Sequence, residues 1–190
     1  MLLFAAIAVD GIRHREKVID DSLLLGVAEG NKQAFTELYR MAGQSVYAYA
    51  LSILKDPTEA EDVLQDTFLK IRSAAHLYRP MGKPMAWVLT ITRNICLMKL
   101  RQRQKLSLFP LERMDEPAEL DQITDLEDRM VLRTALRILP EDECQIIVLH
   151  AVTGWKHREI AQQMGLPLST VLSKYRRGLK KLQVELEGVL

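Results

Sequence analysis

The chain has 190 residues, 48% of them hydrophobic and 27% charged, and its formal net charge at pH 7 is +1. This length allows one large or two small domains, and the hydrophobic fraction is sufficient for buried cores. The two cysteines, Cys96 and Cys144, exclude a disulfide framework by number and disfavour a metal site by spacing, so reduced and mostly buried thiols are expected. The apolar segment 1–9 is too short to span a bilayer and lacks the positive region of a secretory signal, which predicts a cytoplasmic protein without membrane insertion.

Apolar residues recur with helical spacing almost throughout the chain, and strand-like alternation is nearly absent. This pattern predicts an all-α fold of two small helical domains joined by an acidic linker. The expected boundaries are an N-terminal extension over 1–19, a first domain over 20–105, the linker over 106–127 and a second domain over 128–190.

The first domain is predicted to open with a short helix that is capped by Asp21 and Ser22 and stops at Gly30. Asn31 would cap a second helix, and a third would begin beyond Gly43. The apolar face of the second helix is expected to consist of Phe35, Leu38 and Tyr39.

The next helix starts at Asp56, with Pro57 at its first position and Glu59 placed to complete a capping box. Its two faces differ in character. The apolar face carries Ala60, Val63, Leu64, Thr67, Phe68 and Ile71, and another face carries Asp62, Gln65, Asp66, Leu69 and Arg72. An acidic stripe with an outward leucine indicates a protein partner, with ordinary solvated surface as the alternative.

A loop rich in Pro and Gly over 78–84 precedes a long helix from about 85 to 104, whose expected core residues are Val88, Ile91, Ile95 and Met98. Trp87, Asn94 and Arg101 are a heptad apart and share a different face, and five bases without an acid lie between 93 and 105. An aromatic ring beside cations suits unpaired bases, which stack on rings while Lys and Arg hold the backbone. This indicates a nucleic-acid surface, although Trp87 could equally fill the core.

Residues 112–128 contain eight acids against one base, and Pro110 and Pro117 interrupt the periodicity, which indicates a linker. Counted from Gln104, the linker offers roughly two dozen residues and could extend to ~80 Å, whereas two turns of duplex measure ~70 Å. The two domains could therefore hold separate DNA elements, although a disordered spacer with no further role is the alternative.

The last domain contains a predicted helix-turn-helix. Ile146, Ile147, Leu149 and Val152 would build its core, and Gly165 would permit the turn between a helix that carries Ile160, Ala161 and Met164 and a second helix that opens at Leu166-Pro167. Seven Lys or Arg against one Glu between 155 and 183 give a local net charge of +6. This surplus suits a polyanion, because cations that neutralise phosphates release counterions.

Over about residues 20–185, the order and spacing of these motifs resemble a bacterial RNA polymerase sigma factor of the extracytoplasmic-function (ECF) type, with its region two and region four. The residues that carry the resemblance include Asp56-Pro57, Gln65-Asp66, Trp87, Arg93-Asn94, Arg101, Leu139-Pro140, Glu159-Ile160-Ala161, Gly165, Thr170-Val171 and Arg176-Arg177. Leu172, where relatives usually carry Lys or Arg, and Met98, where they commonly carry an acid, depart from the pattern.

The resemblance implies three binding surfaces. The surface for core RNA polymerase would comprise Asp62, Gln65, Asp66, Phe68 and Leu69. The surface that opens and reads the −10 promoter element would comprise Tyr78, Arg79, Lys83, Trp87, Arg93, Asn94 and Arg101. The surface that reads the −35 element would comprise Ser169, Thr170, Ser173, Lys174, Arg176, Arg177 and Lys180.

The implied function is promoter recognition and strand opening as part of a holoenzyme, with an anti-sigma partner expected by resemblance. The rival interpretation is a stand-alone helix-turn-helix regulator, which would not need the segment 56–103. An enzyme is disfavoured because no nucleophile, acid–base or metal constellation is visible and the four histidines are scattered in sequence. No catalytic residue, metal or cofactor is therefore expected.

Overall fold

The computed structural model describes residues 19–80, 82–106, 126–151 and 154–187, and within these ranges it is helical without strands. The described residues belong to two compact units, one before and one after the acidic segment. The first unit contains α1 (Asp21–Ala28), α2 (Lys32–Leu54), α3 (Pro57–Ala74), a 3-10 turn (Ala75–Leu77) and α4 (Pro84–Leu106), and the second contains α5 (Leu126–Ile138), α6 (Glu141–Ala151), α7 (His157–Met164) and α8 (Leu168–Glu187). The all-α prediction is confirmed, while the acidic linker, apart from its ends, lies outside the described residues.

The start of the first unit differs from the prediction by one residue. Asp20, rather than Asp21, caps α1, because its carboxylate accepts the N–H of Ser22 at 3.0 Å. Asn31 caps α2 as predicted, since its side chain accepts the N–H of Gln33 at 2.9 Å. The carboxylate of Asp21 is thereby left for other contacts.

The predicted break near Gly43 is wrong, because α2 runs without interruption from Lys32 to Leu54. Glycine costs a helix about 1 kcal/mol relative to alanine. That cost is outweighed here by burial, since Val46, Tyr47 and Leu51 are at most 1% exposed. Tertiary packing therefore carries the helix through a residue that sequence patterning treats as a stop.

The N-terminus of α3 is capped by Asp56, whose side chain accepts the N–H of Glu59 at 3.0 Å. The predicted capping box is only half formed. The carboxylate of Glu59 accepts instead from Nε of Arg103 on α4 at 2.7 Å, and Arg103 also contacts Asp56 at 3.1 Å. The predicted apolar face of α3 is confirmed as buried.

The prediction for the inward face of α4 is confirmed at Val88 but is wrong for the rest of the face. Val88, Leu89, Thr92 and Cys96 are buried, whereas Met98 is 51% exposed. Thr92 is accommodated because its hydroxyl donates to the carbonyl of Val88 at 3.1 Å. Burial raises the pKa of the Cys96 thiol to about 12, so the thiol is held in its protonated form. Ile91 and Ile95, the other two expected core residues, are half-buried.

The second unit is built around α6, in which Ile146, Ile147 and Leu149 are buried as predicted. Val152, the fourth predicted core residue, lies outside the described residues. α8 approaches α6 closely at Gly178, because a Cβ added there would lie 2.8 Å from Cδ1 of Ile147. This contact sets how near the basic helix lies to its neighbour.

Candidate functional site

The face of α3 that points away from the core carries Asp62, Gln65, Asp66 and Leu69, all of which are exposed. Leu69 is 62% exposed, which is unusual for a large apolar side chain. Asp62 pairs with Nζ of Lys99 on α4 at 3.1 Å. The predicted combination of acids, an amide and an outward leucine is therefore present on one surface.

Phe68, which the resemblance assigns to that surface, lies instead on the buried apolar face that the helical pattern predicts. It is 3% exposed and packs beneath the ring of Tyr39, with 4.7 Å between ring centroids. Leu64, Phe68 and Ile71 lie on the same buried face of α3. Leu69 is one residue further along the helix and therefore points to a different face, which is exposed. Tyr39 itself was expected in the core but is 41% exposed, so the structure adds an aromatic residue beside the acidic stripe.

The segment before α4 and the first turns of α4 enclose an open pocket of about 370 Å³. Four of the predicted −10 residues line it, namely Tyr78, Arg79, Lys83 and Trp87. Arg79 and Lys83 are exposed, and Trp87 is half-buried. The pocket therefore combines an aromatic wall with two accessible cations.

Tyr78 forms the wall of this pocket rather than an exposed contact. It is 5% exposed, and its ring packs edge-on against Trp87 with centroids 5.3 Å apart. Its hydroxyl donates to the carboxylate of Asp21. This packing and this hydrogen bond hold the Tyr78 side chain inward, so it lines the pocket from within.

The basic surface of α4 is smaller than the sequence count indicates. Asn94 and Arg101 are exposed and Arg93 is half-buried, and the three follow Trp87 along the helix. Lys99 and Arg103, however, form ion pairs with acids of α3. Two of the five cations thus join α4 to α3 within the unit.

The predicted helix-turn-helix is present as α7, a turn and α8. Gly165 has φ +67°, the left-handed conformation that favours glycine, and the N–H of Leu166 donates back to the carbonyl of Ala161 at 3.0 Å. Ile160 and Ala161 bury the inner face of α7. The start of α7 is fixed by Glu159, whose carboxylate accepts the N–H of Lys156 at 3.0 Å.

The predicted −35 residues divide between two faces of α8. Ser169, Ser173, Arg176 and Lys180 recur at i, i+4, i+7 and i+11, and all are exposed. We call these four residues the outer face of α8. Thr170 is half-buried, and Lys174 and Arg177 turn toward α6.

Acids of α6 neutralise that second side of α8. Asp142 pairs with Lys174, and Glu143, only 4% exposed, lies 3.4 Å from Nε of Arg177 and 2.8 Å from Nζ of Lys181. Partial burial by itself would raise the pKa of the Asp142 carboxyl, but the hydrogen bond and charge of Lys174 lower it below its usual value. The local surplus of +6 counted along the sequence is therefore reduced by acids from another helix.

A histidine pair that looked scattered in sequence is assembled in the second unit. The rings of His150 and His157 stack with centroids 4.6 Å apart, and Tyr175 of α8 meets His157 edge-on at 4.4 Å. Nδ1 of His150 donates to the carbonyl oxygen of Trp155 at 2.7 Å. Burial, together with the neighbouring His150, lowers the pKa of His157.

Acidification is expected to destabilise the second unit through this cluster. Because the folded-state pKa of His157 lies below its unfolded value of 6.5, the unfolded chain binds the proton more readily. The stabilisation is complete above that unfolded value and is lost as the pH falls from it toward the folded pKa. Thermal unfolding of the full chain, followed by circular dichroism at roughly pH 7.5 and 5.5, should show a lower Tm at the acidic pH. His157→Gln should show a smaller loss, and an equal loss in both proteins would contradict the role of His157.

No helix in the described ranges has the length and apolarity needed to cross a membrane.

Comparison with protein families identifies both units. The Sigma-70 region 2 model matches residues 38–106, and the Sigma-70, region 4 model matches residues 129–182. The first match contains the acidic face of α3 and the pocket before α4, and the second contains α6, α7 and most of α8. Together they cover most of both units described above.

Similar curated proteins align with this chain along most of their length. The ECF RNA polymerase sigma factor SigK of Mycobacterium sp. (strain KMS) is 28% identical over 170 residues, which cover 86% of this chain and 88% of the relative. The ECF RNA polymerase sigma factor SigM of Mycobacterium tuberculosis (strain H37Rv) is 26% identical and covers 90% of this chain and 87% of its own length.

Two solved structures resemble the fold. One is CnrH in complex with the cytosolic domain of CnrY, with a TM-score of 0.63, 26% identity, and coverage of 89% of this chain and 97% of CnrH. The other is the sigma factor RpoE in complex with the anti-sigma factor NepR from Bartonella quintana, also with a TM-score of 0.63 and 26% identity, covering 82% of this chain and 98% of RpoE. With both sigma-70 regions matched in order, the chain belongs to the ECF type of bacterial RNA polymerase sigma factors.

Proposed function

We propose that this chain binds core RNA polymerase and directs promoter-specific initiation of transcription by recognising a −35 and a −10 element and aiding strand opening. The observation that carries the proposal is the presence, in one chain, of a basic helix-turn-helix and of a second helical unit with an aromatic–cationic pocket. A stand-alone regulator needs only the first of these. The protein would act in the cytoplasm, where polymerase and promoter DNA are found, and would catalyse no reaction itself.

The polymerase-binding surface would be the exposed face of α3. Asp62, Gln65 and Asp66 offer acceptors at its rim, and Leu69 offers apolar area that becomes buried in a complex. Phe68 would support this surface from beneath by holding the ring of Tyr39. Tyr39 is a candidate for direct contact, since aromatic side chains are enriched in interfaces.

The pocket before α4 would receive an unpaired base of the −10 element. Extrusion of a base costs a few kcal/mol, and stacking on an aromatic side chain returns ~1–3 kcal/mol. Trp87 would supply this stacking, while Arg79 and Lys83 would contact the phosphates on either side. Arg93, Asn94 and Arg101 would continue the contact along α4.

The outer face of α8 would enter the major groove of the −35 element. Arg176 and Lys180 offer cations there, and Ser169 and Ser173 offer short hydroxyl side chains that allow close approach to base edges. Lys174 and Arg177 would contribute less, because both are engaged by acids of α6. Thr170 would lie at the edge of the contact.

We further propose that an anti-sigma partner controls the chain, because each of the two similar solved structures is a complex with such a regulator or with a cytosolic domain of another protein. The proposed domain limits remain 20–105 for the polymerase and −10 unit and 128–190 for the −35 unit, with 1–19 as an extension and 106–127 as the connecting segment.

Reconstitution tests the function directly. Core polymerase with this protein should produce run-off transcripts of defined length from a cognate promoter, and core polymerase alone should not. A protein that binds duplex DNA but neither co-elutes with core polymerase nor stimulates initiation would be a stand-alone regulator.

The double variant Asp62→Ala/Gln65→Ala should weaken core association by about tenfold, since truncation of two interface residues often removes ~1–2 kcal/mol. Both side chains are exposed, so the fold should persist. Association with core polymerase can be measured by fluorescence anisotropy of labelled protein. Glu29→Ala/Gln33→Ala, which makes the same chemical change at exposed positions of the same unit, is the control and should bind like the wild type. Equal affinity of both double variants would remove α3 from the interface.

A further inference from the structure

The loop that lines the proposed −10 pocket is closed by a single carboxylate from α1. One oxygen of Asp21 accepts the hydroxyl of Tyr78 at the start of the loop. The other oxygen accepts the N–H of Gly82 near its end, at 2.9 Å. The two donors are four residues apart in sequence, so one side chain ties together both ends of the segment that carries Arg79.

The carboxylate is itself held in place by the core. Asp21 is the first residue of α1, and that helix is anchored by Leu24 and Val27, which are 0% and 5% exposed. The N-cap role at this helix end is filled by Asp20, so Asp21 is not required for it. Gly82 has φ +67°, a left-handed conformation that residues other than glycine rarely adopt.

We propose that Asp21 is a positioning residue for capture of the unpaired −10 base. It acts through Tyr78 and Gly82, by fixing the loop so that Arg79 and Lys83 face the pocket beside Trp87 before DNA arrives. This inference rests on the proposed function, because it assigns Asp21 a part in the opening step of that same site.

The physical basis is preorganisation. A loop whose two ends are fixed in advance loses less conformational freedom when DNA binds, and a larger share of the contact energy is available to hold the extruded base. This loop is proposed to contact only the separated DNA strand, so its preorganisation should affect only promoter opening. Binding of the −35 duplex by α8 and binding of core polymerase by α3 should not depend on Asp21.

Asp21→Ala removes both acceptors, and Glu29→Ala, which makes the same charge change at the exposed far end of α1, is the control. In holoenzyme, Asp21→Ala should slow promoter opening by about tenfold, the size expected for the loss of a hydrogen bond to a charged group. Opening can be followed by the fluorescence of 2-aminopurine placed in the −10 element. Glu29→Ala should open the promoter at the wild-type rate, and both variants should bind core polymerase as tightly as the wild type.

A second readout separates positioning from a general loss of stability. Holoenzyme with Asp21→Ala should discriminate less between the four bases at the captured −10 position on a single-stranded oligonucleotide, while discrimination at other positions stays unchanged. Tyr78→Phe, which keeps the ring and removes the hydroxyl, should reproduce part of this loss. The double variant Asp21→Ala/Tyr78→Phe should discriminate between bases as well as Asp21→Ala does. The hydrogen bond that Tyr78→Phe removes is already absent in Asp21→Ala.

If wild-type holoenzyme opens the promoter and Asp21→Ala matches it in rate and base discrimination, the positioning role is overturned. Fully additive effects of Asp21→Ala and Tyr78→Phe would also overturn it. If the wild-type holoenzyme itself fails to open promoters, the proposed function fails instead. Asp21→Asn, which keeps the volume and retains one acceptor, should give an intermediate rate, and it replaces the alanine variant if that variant does not fold.

Discussion

Trp87→Ala should slow promoter opening by between tenfold and a hundredfold while leaving the binding of −35 duplex DNA unchanged. The ring of Trp87 is half-buried and lines the pocket, and Tyr78 packs edge-on against it. Stacking of a base on an aromatic side chain contributes ~1–3 kcal/mol, and alanine offers no surface for it. The rate of opening can be measured by stopped-flow fluorescence of holoenzyme on labelled promoter DNA.

A template with a pre-opened −10 bubble adds a diagnostic comparison for Trp87→Ala. The variant should still bind this template less tightly than the wild type, because the stacking surface is missing even when no energy is needed for strand separation. Met98→Ala, which truncates an exposed side chain on the same helix, should behave like the wild type. If Trp87→Ala opened promoters normally, the pocket would not be the site of base capture.

Arg176→Ala should weaken binding to the −35 element and make that binding less dependent on salt. Arg176 lies on the outer face of α8, away from the acids of α6 that engage Lys174 and Arg177. If it neutralises one phosphate, the slope of log K against log salt concentration should fall in magnitude by about 0.9. If it contacts a base edge instead, the loss should be ~1–3 kcal/mol and should depend on promoter sequence.

Arg137→Ala is the matched control for Arg176→Ala, since it removes the same charge from an exposed position on α5. Arg137 pairs with Glu185 at the surface, and such pairs contribute little to stability. Binding isotherms over a series of salt concentrations should give the control the wild-type slope. An unchanged slope and an unchanged affinity for Arg176→Ala would exclude a DNA contact at this position.

Local signals made the larger part of the fold predictable. The caps at Asn31 and Asp56 and the left-handed turn at Gly165 depend on residues close in sequence, and each lies where the pattern placed it. Gly43 was misinterpreted because propensity describes an isolated helix, whereas the buried length of α2 is stabilised by its neighbours. The inward face of α4 is rotated relative to the predicted one, and it includes Thr92, a polar residue whose hydroxyl is satisfied within its own helix.

The sequence indicated which residues form the candidate sites, but it did not indicate which of their side chains are buried or paired with acids from other helices. Periodicity identified the exposed stripe with Leu69 and the inward position of Phe68, but it did not indicate that Tyr39, which packs on Phe68, would be 41% exposed beside that stripe. The partners of Lys174 and Arg177 come from α6, about thirty residues earlier in the chain. The contact between Asp21 and Gly82 spans 61 residues, so local pattern had no means of revealing it. Contacts of this kind depend on how helices pack, which composition and spacing do not specify.

The acids that α6 places beside α8 give the recognition helix an uneven charge around its axis. One flank is partly cancelled by Asp142 and Glu143, and the neighbouring flank keeps Arg176 and Lys180. An approaching polyanion would therefore exert a torque as well as an attraction, turning the helix until its uncancelled flank faces the groove. Random encounters with DNA anywhere in the genome would then already occur in the rotational setting needed for reading bases, which shortens the search for a promoter.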